Sequence, residues 1–170
     1  MASSPSSDPR ILVLGLCDPS FSEGGIGPYL ARSLRDSLQD VEIAETGSSH
    51  PDFPRLFHDY DVIILLDAIS SCSGVGQVLV VSPYALASLK GGWDDDARAW
   101  ELAIHDARML GHRVPVIRVV AVCMPDNKER LRTRTPEFES FHRTILHRAT
   151  QVVRDIIHES RSQTVSTSTR

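Results

Sequence analysis

The chain of 170 residues is poor in cysteine, and its three cysteines, Cys17, Cys72 and Cys123, include no CxxC pair. This usage suits small buried thiols in a reducing compartment. The longest apolar runs have only the length of a β-strand, so we expect no membrane-spanning segment and no membrane partner. The first ten residues lack the apolar core of a signal peptide, which leads us to expect a cytoplasmic protein.

The charge of the chain is also close to balanced. Lys and Arg number 18 and Asp and Glu number 22, so the net charge is -4, and this mild acidity predicts no nucleic-acid partner. Hydrophobic residues make up 41% of the chain, as in an ordinary globular domain. The serine- and proline-rich residues 1–9 and the polar residues 159–170 predict disordered tails around a single domain at 10–158.

Strand and helix patterns alternate between these tails. Apolar runs predict strands at 11–16, 41–44, 62–66, 77–81 and 116–122. Apolar residues at helical spacing predict helices at 26–38, 94–110 and 136–156, with a short helix at 55–59. The turn-like stretch at 70–75 between the third and fourth strands has six residues, too few for a crossover helix, so we expect these two strands to be antiparallel neighbours. The order predicts a three-layer α/β fold: an open, mostly parallel, twisted five-stranded sheet with one antiparallel strand and helices on both faces.

Asp67 is the most informative acidic residue. It follows five apolar residues of the predicted third strand, at the edge where parallel sheets bind ligands. A carboxylate placed there needs a partner, which could be a metal ion, another cation or backbone amides. The alternative interpretation is a cap on the following turn.

Other candidates lie in neighbouring loops. Glu23 precedes the glycines of the first loop, and His50 lies in the loop after the second strand. Each has an ordinary alternative as an exposed loop residue. Asp94, Asp95 and Asp96 open a helix, where they stabilise its dipole or supply an oxygen ligand to a metal.

A set of segments resembles the hydrogenase maturation endopeptidases, which trim the C-terminus of the large subunit of nickel-iron hydrogenases. ILVLGLCDPSFSEGGIG is similar to the family's ILVLGxGNxxxxDDGxG, and DVIILLDAISS resembles its apolar strand ending in Asp-Ala. VEIAETGSSHPDF follows the family's next strand and loop, GQVLVV fits a later strand, and TPEFESFHRTILHRATQVV resembles the terminal helix. The resemblance covers residues 10–158 and implies an open mixed sheet between helices.

The resemblance also implies a site. The family brings together the second acid of the first-loop pair, the aspartate of the strand end and a histidine at the start of a later helix. Asp67 matches the aspartate, whereas the second acid falls on Gly24 and the histidine falls near Asp96. Glu23 matches only the first acid of the pair. The implied catalytic residues are therefore Asp67 and Glu23, and the implied metal ligands are Asp67, Glu23, Asp96 and His50.

The activity implied by the resemblance is nickel-dependent recognition and C-terminal cleavage of a protein substrate. That substrate is a hydrogenase large subunit or an unrelated protein. The metal is nickel carried by the substrate, another divalent ion, or none, because an all-oxygen ligand set favours harder ions than nickel. Two replaced ligands leave two alternatives open: a non-catalytic relative, that is a pseudoenzyme serving as a binding or scaffold protein, and an enzyme repurposed for another substrate.

Overall fold

The computed structural model describes residues 8–16, 25–38, 40–46, 51–69, 74–89, 95–124 and 136–167. These residues form five strands: β1 (Ile11–Gly15), β2 (Glu42–Glu45), β3 (Val62–Ile69), β4 (Val78–Val81) and β5 (Val116–Cys123). They also form five helices: α1 (Ile26–Leu34), α2 (Phe53–Asp59), α3 (Pro83–Leu89), α4 (Asp95–Met109) and α5 (Pro136–Thr167).

The strands form one sheet in the order β2-β1-β3-β5-β4. The pairs β1–β2, β1–β3 and β3–β5 are parallel, and β4 is antiparallel to β5, which confirms the predicted mixed sheet. The prediction that β4 is a neighbour of β3 is wrong, because β5 lies between them. The segment from Ile69 to Val78 needs to cross two strand spacings, about 10 Å, and an eight-residue linker reaches that distance easily.

Two apolar layers cover the faces of the sheet. On β3, Ile64 and Leu66 contact one layer together with α1 and α5. Ile63 and Leu65 contact the other layer, where α2, α3 and α4 pack. Trp100 of α4 fills the second layer. This alternation along β3 explains why a strand buried on both faces reads as a continuous apolar run.

Helix α5 corrects the predicted C-terminal tail. It continues to Thr167, although we expected residues 159–170 to be disordered. The Ser160 hydroxyl donates to the carbonyl of Ile156 at 2.7 Å, and the Arg161 guanidinium donates to the carbonyl of Asp40 at 3.1 Å. These bonds stabilise a polar extension that has no apolar period of its own. Residues 1–7 lie outside the described part of the chain.

The end of α4 also differs from the prediction. The predicted helix extends to residue 110, but α4 ends at Met109 and Leu110 is 70% exposed. Gly111 follows with φ of +70°, the conformation that commonly ends a helix. No helix within the described ranges is long and apolar enough to cross a membrane.

An ion-pair cluster ties together the amino ends of the central strands. Asp61 accepts a hydrogen bond from the backbone amide of Arg10 at 2.7 Å and pairs with the guanidinium of Arg113. Burial raises the pKa of Asp61, but the Arg10 amide and the Arg113 guanidinium lower it more, so the pKa lies below its ordinary value. This cluster lies at the opposite edge from the carboxyl ends of the parallel strands.

Candidate functional site

Asp67 lies near the carboxyl end of β3, where it pairs in register with Ala121 of β5. Its side chain is 3% exposed, and it is the one buried charged or polar residue within the described ranges. Its Oδ1 accepts a hydrogen bond from the backbone amide of Ala68 at 2.7 Å. Strand β3 continues to Ile69, so Asp67 lies inside the strand and not at its end, which corrects the prediction.

Alternation along β3 directs Asp67 to the face where Leu65 and Ile69 pack, which is the face covered by α4. The first turn of α4 contains Ala97, which is fully buried in the same layer. Asp96 precedes Ala97 in this turn, and its side chain lies outside the described part, as does the whole of Asp94. The fold therefore brings the start of α4 to the layer that Asp67 faces.

Both ends of the first loop, residues 17–24, are anchored at Leu66, the residue before Asp67. The Leu16 amide donates to the carbonyl oxygen of Leu66 at 2.9 Å. A Cβ on Gly27 would lie only 2.4 Å from that same oxygen, so the first turn of α1 packs directly against the backbone of β3. Glu23 belongs to this loop and lies outside the described residues, but the residues that flank the loop contact Leu66, the neighbour of Asp67 in β3.

Glycine makes this close packing feasible. A Cβ on Gly15 would lie 2.6 Å from the carbonyl oxygen of Gly27, and Gly25 has φ of +90° just before the helix. The three glycines match the glycines of the first-loop pattern that carries the resemblance. In the structure they fix the distance between α1 and the central strands.

The second loop also begins at this edge. The Thr46 amide, at the end of β2, donates to the carbonyl of Gly15 at 2.9 Å. His50 follows within residues 47–50, which lie outside the described ranges. His105 is exposed and lies almost three turns along α4. Among the residues that the structure describes, no three His, Cys, Asp or Glu side chains form a metal-binding group.

Two side chains differ from expectation. Cys123, at the end of β5, is buried and disulfide-bonded, so the expectation of a free thiol is wrong there. The only other cysteines, Cys17 and Cys72, lie outside the described residues. His142 is half-buried, although histidine is commonly a surface residue, and its ring centroid lies 4.9 Å from that of Tyr29 at the contact between α1 and α5.

Comparison with known proteins adds a fold-level result. No family model matches the chain, and no curated protein matches it in sequence. The hydrogenase maturating endopeptidase HybD from E. coli superposes with a TM-score of 0.63 at 22% identity, covering 86% of this chain and 93% of that chain. A hydrogenase 2 maturation peptidase from a Thaumarchaeota archaeon gives 0.54 at 18% identity, covering 88% and 98%.

A solution structure of an endopeptidase from E. coli gives a TM-score of 0.59 at 22% identity, covering 86% of this chain and 93% of that chain. These matches define the class of fold to which the chain belongs: a three-layer α/β domain. More particularly, the chain has the fold of the hydrogenase maturation endopeptidases. The fold that the resemblance implied is therefore confirmed, while the identities are too low to carry function.

Proposed function

We propose that this chain is a peptidase of the hydrogenase maturation type, in which Asp67 is the central acid of a site that recognises a metal-bearing protein substrate. The burial of Asp67 supports this proposal most strongly. An ionised carboxylate loses much of its hydration when it is 3% exposed, and such a cost is typical of functional sites. The anchoring of the first loop beside Leu66 supplies a second element at the same place.

Each candidate residue has a chemical role in this proposal. The carboxylate of Asp67 binds a nickel ion carried by the substrate. Glu23, which matches the first acid of the family's first-loop pair, supplies another carboxylate from the first loop. Asp96 or His50 completes the ligand set, and His50 supplies the imidazole that nickel prefers. The peptide bond next to the bound metal is then hydrolysed. The substrate is a protein, either a hydrogenase large subunit or an unrelated chain, and the reaction takes place in the cytoplasm.

The first experiment is a calorimetric titration of the purified protein with nickel. We expect wild type to bind nickel and Asp67→Asn to bind at least about tenfold more weakly, a change of 1.4 kcal/mol, because the amide keeps the shape but not the charge. Asp106→Asn is the matched control, since it removes the same charge from an exposed position at the far end of α4. Absence of binding in wild type, or equal binding by Asp67→Asn, contradicts the metal-recognition proposal.

The second candidate function is that of a non-catalytic relative. Its basis is the presence of Gly24 and Asp96 where the resembling family has an acid and a histidine. If this is the function, wild type shows no nickel affinity, and the double variant Gly24→Glu, Asp96→His gains it. A wild type that already binds as tightly as the double variant refutes this alternative.

A further inference from the structure

The two edges of the sheet are protected very differently. Edge strand β2 carries Glu42 and Glu45, and Glu45 pairs with Arg32 at 2.8 Å and Arg35 at 3.0 Å. Edge strand β4 is Val-Leu-Val-Val and has neither a charge nor a proline. Within the described ranges, no strand pairs with its outer side. Natural proteins protect such an edge with charges, prolines, covering elements, bulges or a short strand length. Strand β4 is short and follows a bulge at Gly76, but with no charge and no proline its four residues keep the character of a pairing edge.

The hydrogen bonds of β4 show which of its backbone groups face outward. A β-bulge precedes β4, because two residues, Gly76 and Gln77, oppose the single residue Cys123. The Gly76 amide donates to the carbonyl of Cys123 at 2.7 Å, and the Cys123 amide donates to the carbonyl of Gln77 at 2.9 Å. Gly76 has φ of +82°. Antiparallel pairs alternate, so Leu79 and Val81 bond to β5. The N–H and C=O groups of Val78 and Val80 therefore point away from β5, toward the free edge.

The side chains of β4 alternate between the two faces of the sheet, and they differ in exposure. Leu79 and Val81 pack into the layer that contains α3 and α4, and Val78 packs into the layer that contains α5. Val80 lies on the same face as Val78 but is 49% exposed. The outward backbone groups and the exposed side chain of Val80 thus lie together on one short apolar edge.

We propose that β4 pairs with β4 of a second copy of this chain, so that two five-stranded sheets join about a two-fold axis. An axis that passes beside Leu79 places Val78 of each copy opposite Val80 of the other. Both pairs then exchange two hydrogen bonds, four in all, and the exposed face of Val80 packs against a valine. The sequence Val78-Leu79-Val80 is the same when it is read in either direction, so the two copies present matching residues to each other about the axis. An isologous contact uses the same groups on both copies in this way, which favours a second copy as the partner.

The charges on neighbouring strands are compatible with this arrangement. Arg118 of β5 and Arg148 of α5 are exposed cations on the side of the sheet where Val80 lies, and Arg148 donates to the carbonyl of Gly76 at 3.3 Å. In the proposed register, Gly76 of one copy lies opposite position 82 of the other, so each of these cations is offset from its counterpart by about six residues along the strands, about 20 Å. Exposed charges at that separation are largely screened at physiological ionic strength, where the Debye length is about 8 Å. Edge β2 could not pair with itself in this way, since its glutamates would face each other.

The test is the oligomeric state of the full chain, measured by sedimentation equilibrium and light scattering over a range of concentrations. We expect wild type to dimerise and Val80→Lys to raise the dissociation constant about tenfold or more, because the substitution places two like charges at the new pairing. Val116→Lys is the matched control: Val116 is equally exposed, at 49%, but lies on β5, inside the sheet. It should dimerise like wild type.

Two results overturn the proposal. One is a wild type that stays monomeric at concentrations of tens of micromolar, which leaves the edge for a different partner or for none. The other is a dimer that Val80→Lys and Val116→Lys affect equally, which places the interface elsewhere. Circular dichroism of both variants separates loss of pairing from loss of folding, and neither outcome depends on metal binding at Asp67.

Discussion

Replacing Gly27 by alanine tests the packing that we consider central to the site. The added Cβ would lie 2.4 Å from the carbonyl oxygen of Leu66 and 2.5 Å from that of Leu16. Both obstacles are backbone atoms at the ends of central strands, so no side-chain rotation can relieve the contacts. The first turn of α1 has to move away from β1 and β3 instead. Overpacking typically costs about 1–3 kcal/mol, and we expect the upper end of that range, about 3 kcal/mol.

Gly111→Ala is the comparison that isolates the clash. Gly111 has φ of +70°, and an added Cβ there would meet nothing within 4 Å. Alanine at this position suffers only the cost of a left-handed backbone, about 1–2 kcal/mol, partly offset by the lower entropy of its unfolded chain. Urea unfolding followed by circular dichroism gives both free energies. If Gly27→Ala costs no more than Gly111→Ala, the inferred contact between α1 and β3 is wrong.

The same pair of variants links packing to the site. A displacement of α1 moves the anchored end of the first loop away from Leu66 and therefore from Asp67. Nickel binding measured under folding conditions should weaken in Gly27→Ala and remain unchanged in Gly111→Ala. Equal nickel affinity in a folded but destabilised Gly27→Ala would show that the first loop takes no part in recognition.

Two further predictions concern the rest of the chain. Because the pKa of Asp61 in the folded protein lies below its ordinary value of 3.8, the ion pair stabilises the protein above that pH, and the stabilisation is lost as the pH falls through the lower folded value. Asp61→Asn should thus lower the free energy of unfolding at pH 7 by about 0.5–1 kcal/mol, a small value because the pair is partly exposed. The difference should shrink as the pH falls below 3.8, and a constant difference at all pH values contradicts this. Because Cys123 is disulfide-bonded, a thiol titration of protein denatured without reductant should detect one reactive thiol per chain, and a titration after reduction should detect three. Three thiols before reduction would exclude the disulfide.

The central strands could be predicted from the sequence because burial on both faces gives β1, β3 and β5 a recognisable apolar run. The position of β5 between β3 and β4 could not, since a short linker limits strand direction but not the number of strands it crosses. Helix α3, Pro83–Leu89, has only seven residues and follows β4 after one serine, too short for a helical period to appear. The extension of α5 depends on non-local bonds such as that from Arg161 to Asp40, which no local pattern reveals.

For the site, the sequence pointed to Asp67 because it follows an apolar run, but an apolar run alone did not show that β3 continues for two residues beyond it and buries its side chain. The role of Gly27 depends on a distance to Leu66, 39 positions further along the chain, so it had no signal beyond the glycine spacing itself. That spacing now constrains Glu23. One residue, Gly24, separates it from Gly25, so chain geometry limits the distance between the Glu23 and Gly25 Cα atoms to about 7 Å. Glu23 can therefore supply a second carboxylate at Asp67 only if its side chain reaches there from the residue before Gly24, the position at which the resembling family has its second acid.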